Sequence, residues 1–481
     1  MTKHLDIDTK AMRAKILDLA IQGKLTDQRE EDGNARDLLK EIQAEKEKLI
    51  KEQQIKKEKP LPEIEADEIP FEIPKNWMWA RWGTLSISIK YGYNTSAQKD
   101  GKIKMVRISD IQNNQVNWDS VPFCNIPKEE ITQYLLRKND ILFARTGGTV
   151  GKSYLVSEVP ENVVYAGYLI RTRYSEKLLP QYLKYFMESD LYWSQLKKGT
   201  TTTAQPNCNA KTLGKMVLPL PPLAEQKRIA DKVATLFAQL DAIDKAYEEY
   251  RELQQTMKAK LLDLAVQGKL TDQRSEDGNA RDLLKEIQAE KEKLIKEKKI
   301  KKEKPLPEIT EEEKTFDIPE NWMWVRLGEM ILNHIGGGTP DKSNEAYWNG
   351  DIPWMSVKDV HQDSMYADRT IDSITPAGLE NSSSNLIEAN RLIVVMRMAV
   401  GRAVINKLPV AINQDLRALF FRDNVTQEYI LRIFKILKFE TSGMTVKGIK
   451  LWVLLNTPIP LPPLAEQKRI VAKLDELLPL L

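Results

Sequence analysis

Residues Thr146–Ser153, TGGTVGKS, come closest to a chemical motif in this chain. A phosphate-cradling P-loop needs glycine where Thr146 stands, followed by a helix. Here the next residues, YLVSEV, are strand-like, and no acidic strand for Mg²⁺ is evident. Nucleotide hydrolysis is therefore set aside. The segment reads instead as a glycine turn between two strands, with backbone amides and Lys152 facing a nucleic-acid phosphate.

Other basic and amide residues cluster around that turn. Arg107, Arg145, Arg171 and Arg173 fall on expected strands, and Lys197 and Lys198 follow on a helix. The polar run TTTTAQPNCN adds Thr201, Gln205, Asn207 and Asn209. Arginine suits bidentate contact with guanine, and asparagine or glutamine with adenine. A second group comprises Lys358, Arg397, Arg402, Asn413, Gln414, Arg417, Thr445 and Lys447. The same residues also read as ordinary charge on solvated loops. Charge separates the two groups: residues 84–217 hold 18 Lys+Arg against 11 Asp+Glu, whereas residues 329–458 hold 14 of each. A local positive field suits an anionic partner.

Several other chemistries are excluded. Two cysteines, Cys124 and Cys208, cannot build a disulfide framework, and three histidines give a Cys/His metal site little to work with. No paired carboxylates, catalytic triad or Rossmann glycine spacing stands out, the Gly336–Gly338 run included. No apolar run of membrane-spanning length and no signal-peptide core occurs, so a cytoplasmic protein is expected.

The elements that must position these residues are repeated. Met12–Pro60 and Met257–Pro305 align without gaps and share 43 of 49 residues. PLPPLAEQKRI occurs at Pro219–Ile229 and again, unchanged, at Pro460–Ile470. The segments between, 84–217 and 329–458, barely resemble each other. Constant parts imply one partner surface presented twice. Divergent inserts of matched size imply two modules of one fold with different ligands.

Apolar residues recur at heptad spacing from Ile229 through Val233, Leu236, Leu240, Ile243, Tyr247 and Tyr250 to Met257, Leu261 and Leu264. This predicts a coiled-coil helix from Leu223, after Pro221-Pro222, to a stop at Gly268, roughly 68 Å long. A second helix is expected over Ala280–Lys301. Residues 470–481 and 1–59 map onto 229–240 and 246–304. The two chain ends are thus expected to rebuild the central helical unit, lying roughly 8 Å apart; a free-standing N-terminal hairpin is the alternative. Both inserts read as strands followed by a helix. Trp77, Trp79, Trp322 and Trp324, at the module entrances, read as core anchors.

The fold expected is α+β: two domains with mixed sheets, separated by long antiparallel coiled-coil helices in a pseudo-twofold repeat. The boundaries are 1–60 helical, 61–217 first module, 218–305 central coiled coil, 306–458 second module, and 459–481 a C-terminal helix pairing with the N-terminal region. A protein–protein scaffold also fits the coiled coil and the duplication, though not the basic module.

PLPPLAEQKRI opening a long helix, QGKLT closing it, and two divergent modules between them resemble the specificity subunit of type I restriction–modification enzymes. The resemblance covers essentially the whole chain. It extends to NDILFARTGGTVGKS, GGGTP, YWNGDIPWMSVKDV and AINQDLRALF within the modules. It implies a DNA-binding subunit without catalysis or cofactor of its own. Each module would be a target-recognition domain reading half of a bipartite double-stranded target. The helices would set the spacer and dock two methyltransferase subunits. Adenine-N6 methylation and restriction would belong to those subunits and to motor–nuclease subunits, which carry S-adenosylmethionine, ATP and Mg²⁺. Docking is expected at Leu223, Glu225, Gln226 and Arg228, and again at Leu464, Glu466, Gln467 and Arg469. The chain departs from the commonest layout: a helical repeat precedes the first module, and the second repeat is split between the chain ends.

Overall fold

The structure, a computed structural model, describes residues 7–200, 207–362, 364–437, 439, 441 and 447–481. They divide into two compact units, with the boundary between Glu248 and Glu249.

The first two helices start where a side chain can take a free first-turn amide. Asp8 caps α1 (Thr9–Ile21) by accepting from Ala11 N at 2.8 Å, and Asn34 caps α2 (Ala35–Lys51) through Arg36 N. Strand β1 (Met78–Arg81) enters the module. Then come β2 (Ser86–Tyr91), β3 (Ile103–Val106), β4 (Ile141–Ala144), β5 (Ser153–Leu155), β6 (Val163–Tyr165) and β7 (Leu169–Tyr174). The main sheet has the order β2-β7-β4-β5, all antiparallel. A smaller sheet pairs β3 parallel to β6 and antiparallel to residues 123–124, so the module's sheets are mixed. The single helix expected after β7 is two, α3 (Pro180–Phe186) and α4 (Asp190–Gly199). Ser189 divides them, because its hydroxyl bonds both Phe186 O and Tyr192 N. After α5 (Ala210–Lys215), β8 (Val217–Leu220) pairs with β1 and closes the module.

Helix α6 (Leu223–Val266) runs for 44 residues after Pro221-Pro222, as its heptads predict. Gly268 ends it at φ +69°, where a Cβ would lie 2.5 Å from the Pro319 ring. Its heptad seam is buried at Ile229, Val233 and Leu240, while Ile243, Tyr247, Tyr250 and Met257 are exposed.

The second unit repeats the plan. Helix α7 (Ala280–Lys296) is shorter than expected, ending at Glu297–Lys298 before the proline-rich strap. Strands β9 (Met323–Arg326), β10 (Asn333–Gly336), β11 (Trp348–Met355), β12 (Leu392–Val395), β13 (Ala403–Asn406), β14 (Val410–Ile412) and β15 (Leu416–Phe420) follow. The main sheet is β10-β15-β12-β13 plus residues 366–367, and β11 runs parallel to β14. Helices α8 (Asn424–Phe434) and α9 (Leu451–Asn456) precede β16 (Pro458–Leu461), which pairs with β9. Helix α10 (Leu464–Leu477) follows.

One buried contact joins the parts in each unit. Glu225, at the start of α6, is fully buried and accepts from Trp77 Nε1 at 2.7 Å, Gln28 Nε2 at 2.6 Å and Thr26 Oγ1 at 3.2 Å. Glu466 does the same with Trp322 at 2.7 Å, Gln273 at 2.6 Å and Thr271 at 3.1 Å. One turn on, Arg228 grips Asp32 and Arg469 grips Asp277, each pair at 2.5 Å. The Gln226 side chain takes Leu179 N and gives to Pro221 O; Gln467 gives to Pro462 O.

These contacts give the residues expected to dock a partner an internal role. Glu225, Gln226, Arg228, Glu466, Gln467 and Arg469 each make hydrogen bonds inside the unit and so tie the scaffold together, while Lys227 and Lys468 of the same repeat are exposed. Leu223 is half-buried and Leu464 exposed. Trp77 and Trp322 are the core anchors expected, while Trp79 and Trp324 pack on Phe71 and Phe316. The units also cut across the expected 218–305 region: its first part joins α1 through Arg13–Asp244 at 2.8 Å, and its later part joins α10 through Arg469–Asp277. The expected meeting of the chain ends involves residues 1–6, which lie outside the described residues.

Replacing Trp77 with Phe leaves a buried carboxylate one donor short, which costs about 1–3 kcal/mol. Urea unfolding should show that loss, and Trp322→Phe should match it. Unchanged midpoints would show the contact to be incidental.

Candidate nucleic-acid interface

The register of the two main sheets makes the modules comparable position by position. Leu169 faces Ala144 across one sheet, and Leu416 faces Val395 across the other. The turn after β4 closes with Ala144 N donating to Lys152 O, and the turn after β12 with Val395 N donating to Arg402 O. Gly147 and Met398 both have positive φ, as do Gly151 and Gly401. Arg145 N bonds Tyr168 O at 3.1 Å, and Met396 N bonds Asp415 O at 2.7 Å. The short turn after β3 is closed by Asp110 on Arg107 N, and that after β11 by Asp359 on Ser356 N, both at 2.8 Å. Gly92 and Gly337 are required at one equivalent place, where a Cβ would meet the backbone oxygens of Ala166 and Ile412 at 2.2 and 1.8 Å.

Three loops thus gather at one edge of each module, on equivalent backbone but with different chemistry. Arg107 corresponds to Ser356, Ser109 to Lys358, Arg145 to Met396, Thr146 to Arg397, Lys152 to Arg402 and Tyr168 to Asp415. The arginines of the two glycine turns are one residue out of step. TVGK and AVGR were the visible signal for this match. Nothing in the sequence singled out Tyr168, which is exposed.

In the first module Arg145 lies over the Tyr91 ring at 4.7 Å and reaches Asn207 Oδ1 at 3.4 Å. Its Nε is buried without a hydrogen-bond partner. Thr146 bridges to Asn207. The glycine turn between β4 and β5 has the form expected, and Lys152 on it is exposed, as are Lys197 and Lys198 at the end of α4. Arg107 is bound to Asp110 through Nε and Nη2. In the second module Lys358 and Lys447 are exposed and Arg402 is half-buried, with Nη1 3.5 Å from Val360 O. Arg397 is held by Asp415 at 2.5 Å, and Gln414 accepts from Thr339 at 2.5 Å.

Other expected contacts prove internal. The Arg171 side chain is 3% exposed, stacks over Tyr165 and donates to Leu135 O. Arg173 forks onto buried Asp140 at 2.7 and 3.0 Å. Asn209 caps α5 by accepting from Thr212 N. Asn413 is buried on Asp415. Arg417 donates to His334 Nδ1 at 2.8 Å, and His334 Nε2 meets Glu303, which pairs with Lys291 of α7, so Arg417 faces the helical segment. Thr201, Gln205 and Thr445 lie outside the described residues. Burial pushes the Cys208 thiol up to about 11, which suits an inert core residue. Among the described residues no cluster of His, Cys, Asp and Glu could hold a metal, and no helix is long and apolar enough to cross a membrane.

Comparison with known proteins agrees with this geometry. The family model described as type I restriction modification DNA specificity domain matches residues 89–250 and 319–479. The chain belongs to this family. It is 27% identical to the type I restriction enzyme EcoEI specificity subunit of Escherichia coli, over 97% of this chain and 88% of that one. It is also 27% identical to the EcoAI specificity subunit of the same species, over 98% and 89%. Among solved structures, the HsdS subunit from Thermoanaerobacter tengcongensis has a similar fold, with TM-score 0.50 and 21% identity over 85% of this chain and 90% of that one.

Two predictions follow from the internal residues. Arg171→Met should lower the stability of the first unit by about 2 kcal/mol in urea unfolding while leaving DNA target preference unchanged; altered preference would return Arg171 to the interface. Burial and the Arg417 guanidinium hold the His334 pKa below its ordinary 6.5. The unfolded chain then takes up the proton first, so the second unit should lose stability as pH falls below about 6.5. His334→Gln should flatten that slope, and an unaltered slope would assign it to other groups.

Proposed function

We propose that this chain reads DNA sequence for a type I restriction–modification complex in the cytoplasm, each module recognising one half of a bipartite double-stranded target. The observation that carries the reading is the pair of module edges: equivalent backbone, different side chains, and the same buried glutamate holding each. Arg145 and Arg397 are suited to guanine edges, and Lys152 and Arg402 to phosphates. The chain is the non-catalytic member. Adenine-N6 methyl transfer and cleavage belong to two methyltransferase subunits and to motor–nuclease subunits, with S-adenosylmethionine, ATP and Mg²⁺ bound there. Since Glu225, Gln226, Arg228 and their counterparts are tied into the unit, partner contact falls to exposed apolar side chains such as Ile243 and Tyr247 in the first unit, and Leu253 and Met257 in the second. The helices set the spacing between half-sites.

Expression with the methyltransferase subunit in a methylation-free host tests this by genome-wide mapping of N6-methyladenine. The expected result is a two-part motif with a fixed gap, lost when this chain is omitted. Exchanging residues 84–217 should change one half only. Lys152→Ala should weaken binding to all sequences alike and reduce the salt slope by about 1. A stable complex that methylates nothing would instead favour a scaffold.

A further inference from the structure

The reading edge of the first module contains a cavity of about 630 Å³. Met105 and Ile108 contribute apolar wall, while Asn94, Thr95, Ser109 and Arg107 contribute polar atoms. Tyr168 lines it too and is 63% exposed. The walls are stitched together by backbone: Tyr93 N bonds Tyr165 O and Gly167 N bonds Tyr93 O, both at 2.8 Å. Tyr168 O is held by Arg145 N at 3.1 Å. Thr149 of the glycine turn is a further wall, which sets the exposed Lys152 close along the chain. Arg107 keeps its Nη1 without a hydrogen bond among the described residues, its other nitrogens lying on Asp110.

Apolar walls, a few convergent polar groups, an exposed aromatic ring and nearby cations are what a nucleobase taken out of its stack requires. We propose that this cavity takes one base of the first half-site, unstacked from the duplex, with Tyr168 stacked on it. The proposal rests on the DNA-reading function above and adds a mode of reading to it. In the second module the place of Tyr168 is held by Asp415, which is engaged with Arg397 and Asn413. The device therefore belongs to the first half-site alone.

The test uses the full chain bound to its methyltransferase subunit on the mapped target duplex. Fluorescent 2-aminopurine or pyrrolocytosine is placed at each position in turn, on either strand, leaving out the adenines that become methylated. One position in the first half-site should brighten several-fold on binding, and none in the second. Tyr168→Ala should weaken binding about ten-fold, and Ala97→Phe, which fills the cavity from an exposed position, should abolish the brightening. In both variants the preference for the mapped second half over altered second halves should stay as in the unsubstituted complex, because only the first half-site is affected. Tight sequence-specific binding with no bright position, or brightening that survives both substitutions, would overturn the base pocket and leave DNA reading intact. Failure of the unsubstituted complex to discriminate its target would remove the reading function itself.

Discussion

A fully buried carboxylate at the start of a helix is the contact on which each half of this protein depends. Burial pushes the pKa of Glu225 and Glu466 upward, and three donors on each oppose that shift. A buried charge is tolerable only when its hydrogen bonds are complete. Those donors come from the loop after a helix and from the tryptophan entering the module, nearly 200 and nearly 150 residues away along the chain. The glutamate therefore fixes helix, loop and module together. This explains why PLPPLAEQKRI and QGKLTDQR are repeated almost without change while the inserts between them diverge.

With the frame fixed at its base, the far edge of each module can vary. The main sheets keep their strand order and register, and the glycines Gly92 and Gly337 keep the same close backbone approach. Side chains in the edge loops are exchanged freely between arginine, lysine, threonine, serine, tyrosine and aspartate. In the second module the edge arginine is neutralised by Asp415, whereas in the first Arg145 rests on a tyrosine ring. That contrast matches the difference in net charge between the two inserts.

The helical frame was legible in the sequence because its signals are strong and local. Prolines before Leu223, a heptad repeat and Gly268 bound the long helix to within two residues. The division of the module into two sheets was not legible, since short strands such as Ser86–Tyr91 and Val163–Tyr165 carry little pattern. At the site, residue type misled wherever a polar side chain serves the interior. Arg171, Arg173, Asn209 and Asn413 have the chemistry of base readers, but buried carboxylates, carbonyls and helix amides occupy them. Repetition at AEQKR has two sources: a surface shared by two partners and a shared internal tie leave the same trace, and Glu225, Gln226 and Arg228 make such a tie.

Hydrogen exchange on the complex with its target duplex tests the central claim most directly, namely that two equivalent edges read two different half-sites. Protection is expected at residues 145–152 and 167–168 in one unit and at 396–402 and 414–415 in the other. Altering only the first half-site should release the first pair of segments and leave the second protected. Protection confined to other surfaces, or loss of both pairs together, would contradict the account.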